Sequence, residues 1–181
     1  MDFESKITSR EISQLLWERE MTLGTAESCT GGRVAEAIIA VPGASKYFKG
    51  GIVSYADEIK ERILGVDRQL IEEKTAVCED VAVAMVKGAC KALNTDYAIA
   101  VTGIAGPGGG TAEIPVGTIW LACGNEDNVA TCQLTEDNGR DKNLSEATHT
   151  ALEMFLEFLK GEEKVSEDDV EPQGDVKWGS N

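Results

Sequence analysis

Histidine is nearly missing from this chain: there is one, His149, in 181 residues. That scarcity takes away the usual base for a serine or cysteine nucleophile. With no CxxC pair among the scattered cysteines, Cys29, Cys78, Cys90, Cys123 and Cys132, it also argues against a structural zinc site. Their odd number argues against a disulfide framework. Basic residues are scarce as well, 17 Lys and Arg against 32 Asp and Glu, for a net charge of −15. A nucleic-acid binder needs cations to neutralise phosphates, so that class of partner is not expected. A small anion held by backbone N–H groups is still compatible with an acidic protein. No run approaches the roughly 18 apolar residues of a membrane span, and "MDFESKITSR" lacks the apolar centre of a signal peptide. The expectation is a cytoplasmic protein with no membrane partner.

What is present alternates between two periods. Ile12, Leu15 and Leu16 recur at helical spacing within 8–19, and "MTLGTAES" reads as a strand. A helix follows in "GGRVAEAIIAVPG", with Val34, Ala35, Ile38 and Ile39 on one face and a stop at Pro42-Gly43. "YFKGGIVSYA" is a strand ending near Tyr55, and "DEIKERILGV" turns at once into a short helix terminated by Gly65. The clearest helix is 79–93, with an apolar stripe of Val81, Met85, Val86, Ala89 and Leu93. "DYAIAVTG" reads as a strand buried on both faces. "VGTIWLAC" and "NVATCQLT" flank the turn "GNEDN" as an antiparallel hairpin. The last helix, 141–160, buries Leu144, Thr148, Ala151, Phe155 and Phe158 or Leu159.

These elements imply an α/β fold, a three-layer α/β/α sandwich on a mixed sheet. Residues 1–160 form the domain. Residues 161–181, acid-rich and aperiodic, read as a flexible tail whose one oddity is Trp178. Ligands of such sheets bind where strand ends meet loops and helix starts, and three junctions qualify: 28–32, 55–60 and 102–110.

In "TAESCTGG", Ser28 sits where a strand end meets a tight turn, a position suited to attack on a carbonyl. Position alone nevertheless favours an ordinary N-cap by Ser28 or Thr30. Cys29, pointing the opposite way along the strand, reads as a small buried thiol. Lys60 can serve as the base that histidine does not supply, with Tyr55 relaying or orienting the proton, if burial or a cation favours its neutral form. Taken alone, a lysine inside "DEIKER" reads as a solvated helix charge. "TGIAGPGGG" is no Walker loop, since no Lys-Ser/Thr pair follows, yet it bares several N–H groups. Arg140, just before the last helix, is either a phosphate contact or a surface arginine. His149 falls off the apolar face and reads as a surface residue.

Together, "TAESCTGG", "GGIVSYADEIK", "AVTGIAGPGGG" and "PVGTIW", in this order and spacing, resemble the CinA C-terminal domain family, over about 7–158. The resemblance implies an α/β/α sandwich and a homodimer. It also implies the activity of the family's nicotinamide mononucleotide deamidases, which release ammonia from the carboxamide with no metal or other cofactor. Many members carry this domain behind a molybdopterin-binding-like one, so the chain reads as a stand-alone version. By the resemblance Ser28 is the nucleophile and Tyr55 and Lys60 its partners. Thr30, Gly31, Gly32, Thr102, Gly103, Gly106, Gly108 and Arg140 then bind the substrate, a pyridine mononucleotide. Two positions depart from the pattern: Leu144 stands where a second arginine is usual, and Ile114 where a lysine often precedes "PVGT". The N–H groups of Cys29 to Gly32 are the expected oxyanion donors. The alternatives are a non-catalytic nucleotide-binding or regulatory module, or a different amide or lactam substrate.

Overall fold

The computed structural model describes residues 3–168. Trp178 and the end of the expected tail lie outside the described residues. In chain order the elements are α1 (Phe3–Glu18), β1 (Leu23–Glu27), α2 (Arg33–Ile39), β2 (Phe48–Val53), α3 (Asp57–Leu64), α4 (Arg68–Lys74), α5 (Glu79–Leu93), β3 (Tyr97–Gly103), β4 (Ile119–Gly124), β5 (Val129–Leu134) and α6 (Arg140–Asp168). The sheet order is β2-β1-β3-β4-β5. β1 runs parallel to both β2 and β3, whereas β4 and β5 are antiparallel to their neighbours, so the sheet is mixed.

Side-chain alternation along the strands sorts the core into two layers. Leu23, Ile99, Val101, Ile119, Leu121 and Cys123 face α1, α2 and α6. Ala26, Ala98, Ala100 and Ala122 face α5, with Leu64 of α3 beside it. The alanine face lets α5 lie close to the sheet, and α3 packs in turn against α5. A Cβ on Gly88 of α5 would come within 1.9 Å of the Leu64 carbonyl oxygen, a backbone atom that cannot swing aside. Gly88→Ala is therefore expected to cost about 1–3 kcal/mol of stability, measured by urea unfolding.

Three details differ from the expectations. Ile39 is 58% exposed, and the buried face of α2 is Val34, Ala37 and Ile38. α4 is a helix the apolar periodicity does not announce; it is started by Asp67, which accepts from the Gln69 N–H at 2.9 Å. α6 does not stop at Gly161. The Tyr97 hydroxyl donates to Glu162 at 2.6 Å, and Arg19 donates to the Leu159 carbonyl at 3.0 Å. Those ties outweigh the ~1 kcal/mol that a mid-helix glycine costs. The Tyr97 ring also packs edge-on against Phe155 and Phe158.

Among the described residues no helix is long and apolar enough to cross a membrane. Chain crossings leave β1 with β2 on one side and β3 on the other, so the crevice beyond their carboxyl ends is the switch point of the sheet. All three expected junctions meet there.

Candidate active site

Ser28 follows the last residue of β1 and continues its alternation. Like Ala26 it faces the α3–α5 side, whereas Cys29 joins the opposite core layer. On that side Ser28 meets Lys60. The lysine is 1% exposed, which corrects the reading of a solvated helix charge. Its Nζ lies 3.2 Å from Ser28 Oγ, 2.9 Å from the Ser54 carbonyl, 3.3 Å from Asp57 Oδ1 and 3.4 Å from the Tyr55 carbonyl. An ammonium has three N–H donors for these four acceptors. An amine has two N–H donors, enough for the backbone carbonyls, and one lone pair left to receive the Ser28 hydroxyl proton. α3 places Lys60 by starting immediately after β2 and burying its fourth residue under the site.

The N-cap reading of Ser28 and Thr30 is overturned by a residue the sequence reading passed over. Glu27 is 1% exposed and swings to the α2 side, where its carboxylate accepts the N–H groups of Gly32, Val34 and Ala35 at 2.9–3.0 Å. One buried anion thus satisfies the helix start and complements its dipole. The turn reaches it through Gly31 and Gly32, at φ 60° and 107°. The same count removes two of the four expected oxyanion donors. The Gly31 N–H bonds the Ser28 carbonyl and the Gly32 N–H goes to Glu27.

Ser28 and Lys60 open onto a cleft of about 270 Å³, walled by Tyr55, Asp57, Ala76, Val77 and Thr102, by the loop from Gly103 to Gly109, and by Arg140. Gly103, Gly106 and Gly108 are on the cleft as expected; Thr30, Gly31 and Gly32 are not. Thr102 spends its hydroxyl on the Ala76 carbonyl at 2.8 Å. Tyr55 reaches Lys60 through its carbonyl, while its ring, 62% exposed, stands at the rim. Arg140 uses one guanidinium nitrogen on the Gly106 carbonyl, at 2.8 Å, and is a loop clamp as well as a cleft cation. Leu144 is buried in the core rather than on the cleft. His149 sits between α1 and α6 beside Ser5, Glu4 and Glu153, half-buried rather than at the surface. Ala76, Val77, Asp57 and Asn143 were not singled out from the sequence. Only Asp57, three residues before Lys60 on one helix face, carried a local signal.

Cys29 is 7% exposed, and burial pushes its thiol up to about 11. The thiolate is the nucleophilic form. Iodoacetamide at pH 8 is therefore expected to leave Cys29 unmodified in the folded protein, as read by peptide mass spectrometry.

The family model of the CinA C-terminal domain matches residues 5–159. A CinA-like protein of Leptospira borgpetersenii is 49% identical over 117 residues, which is 65% of this chain and 28% of that protein. A CinA-like protein of Amoebophilus asiaticus is 41% identical over 150 residues, 83% of this chain and 36% of its own. The chain thus spans about a third of the length of such curated relatives. Among solved structures, competence/damage inducible protein CihA from Agrobacterium tumefaciens superimposes with TM-score 0.84 at 36% identity, covering 88% of this chain and 98% of its own. A CinA superfamily protein from Klebsiella pneumoniae gives 0.82 at 29% identity, covering 87% and 98%.

Proposed function

The chain belongs to the CinA C-terminal domain family, and we propose that it hydrolyses the carboxamide of nicotinamide mononucleotide, giving nicotinic acid mononucleotide and ammonia. The observation that carries this reading is the buried Lys60 Nζ, 3.2 Å from Ser28 Oγ at the floor of the cleft. A lysine buried only to hold two carbonyls would not require a serine hydroxyl at its third position.

In the proposed reaction Ser28 Oγ attacks the carboxamide carbon as its proton passes to Lys60. The C–N bond then breaks, the proton returns to the departing amine, and ammonia leaves an acyl-serine. A water attacks that ester, gives its proton to Lys60, and restores Ser28 as the acid departs. Asp57 Oδ1 and the Ser54 carbonyl stabilise the ammonium formed in each half. The Tyr55 ring at the rim is placed to cover the pyridine. The substrate phosphate is assigned to the free guanidinium nitrogens of Arg140 and the N–H groups of Gly108 and Gly109, which bond no backbone carbonyl among the described residues.

The test is ammonia release from a panel of pyridine mononucleotides and other amides, with mass spectrometry of the product. Turnover of nicotinamide mononucleotide is expected. Saturable binding without turnover would overturn the reading in favour of a non-catalytic module, and turnover of another amide alone would replace the substrate.

A further inference from the structure

Amide hydrolysis through a tetrahedral intermediate needs donors for the oxygen that becomes negative, and at the α2 start the Gly31 and Gly32 N–H groups are already taken. The loop between β3 and β4 has two. The Ile104 carbonyl accepts the Gly117 N–H at 2.8 Å, and the Ala105 carbonyl accepts Asn143 Nδ2 at 3.1 Å. In a trans peptide the carbonyl and the following N–H point in opposite directions. The Ala105 N–H is therefore aimed away from Gly117, and the Gly106 N–H away from Asn143.

Those two directions are the same side of the loop. Gly117 and Asn143 line a small separate cavity behind it, together with Ile119 and Leu134, whereas Ala105 and Gly106 line the cleft that holds Ser28. Neither N–H has an acceptor among the described residues. Two adjacent N–H groups turned into one concavity form an anion-binding nest.

Asn143 is built to hold this arrangement. It is 4% exposed, and its Nδ2 donates to Asp137 Oδ1 at 2.9 Å as well as to Ala105. Its Oδ1 accepts the Asn138 N–H at 2.8 Å, so the side chain cannot flip without breaking all three contacts. Arg140, one helical turn earlier on α6, grips the next carbonyl, that of Gly106.

Building on the proposed serine mechanism, we infer that the Ala105 and Gly106 N–H groups form the oxyanion site and that Asn143 is the positioning residue that aims them. The test uses pyridine-3-boronic acid on the full chain. Ser28 Oγ bonds to boron while its proton passes to Lys60, leaving a tetrahedral boronate whose hydroxyl occupies the oxyanion position. In 15N–1H spectra the Ala105 and Gly106 amide resonances are expected to move more than those of Thr30, Gly31 and Gly32. Asn143→Ala is expected to lower kcat about 30-fold with KM within about threefold, and to weaken the boronate by a similar factor; loss of a whole oxyanion donor costs about 10²–10³ in kcat.

Larger shifts at residues 30–32, or a kcat loss in Asn143→Ala with boronate affinity unchanged, would overturn the assignment. The wild-type spectra decide it even where the variant does not fold. A wild-type chain that forms the boronate with those shifts but releases no ammonia from nicotinamide mononucleotide refutes the substrate and supports the oxyanion site. Absence of any Ser28 adduct would overturn both.

Discussion

Replacing Ser28 by alanine is expected to lower ammonia release by about 10⁴-fold or more while changing the melting temperature by no more than about 2 °C. Among the described residues the hydroxyl makes one hydrogen bond, with Lys60, at the floor of an open cleft, so the fold loses little when it goes. The chemistry loses its only atom able to form the acyl intermediate. Lys60→Met keeps most of the buried volume and removes the proton acceptor, and it is expected to cost at least 10²–10⁴-fold. Residues that act as one unit are not additive, so the double variant is expected to be no slower than Ser28→Ala. Steady-state kinetics with calorimetry on all three proteins measures this. A Ser28→Ala protein as active as the parent would remove Ser28 from the mechanism, and a multiplicative double variant would separate Lys60 from it.

The second large effect concerns Glu27 and falls on stability. Glu27→Ala strands three N–H groups at the start of α2, all on half-buried or buried residues, and each unsatisfied donor costs about 1–3 kcal/mol. The sum is about 3 kcal/mol or more, a fall in melting temperature of roughly 6–12 °C for a domain of this size. Activity is expected to fall with it, because the turn that Glu27 holds also carries Ser28. Thr30→Ala is the control. Had Thr30 capped the helix its loss would cost ~1 kcal/mol, but its hydroxyl is buried without a partner among the described residues, so the expected change is smaller. Thermal unfolding of the two variants separates the schemes: equal small losses would return the cap to the turn residues.

Much of the architecture was legible because it rests on short-range patterns. Strands and helices declare themselves by period, and the β4–β5 hairpin by its Asn/Asp/Gly turn. The opposed directions of Ser28 and Cys29 follow from strand alternation alone. The α5 stripe and the buried face of α6 appear where periodicity put them, with Leu93 and Phe158 only half-buried. What escaped were outcomes of competition between distant groups. A hydroxyl next to a helix start is the usual cap, and nothing local says that a carboxylate from the strand will arrive first. "DEIKER" is charged enough to look solvated, and only the packing of α3 against α5 and the β2 end decides which of its charges goes inside.

The order of residues by itself determined the layered α/β form and the three junctions. It also determined, through the motifs, the family the chain resembles. The tertiary structure alone decided that Lys60 is buried against Ser28, that Glu27 rather than Ser28 or Thr30 serves α2, and that Asn143 reaches the glycine loop. The physical reason is common to all three. Burial and hydrogen-bond partnership depend on which surfaces meet across the sheet, and a side chain's local propensity gives way when a distant group satisfies or strands a buried polar atom at a cost of several kcal/mol.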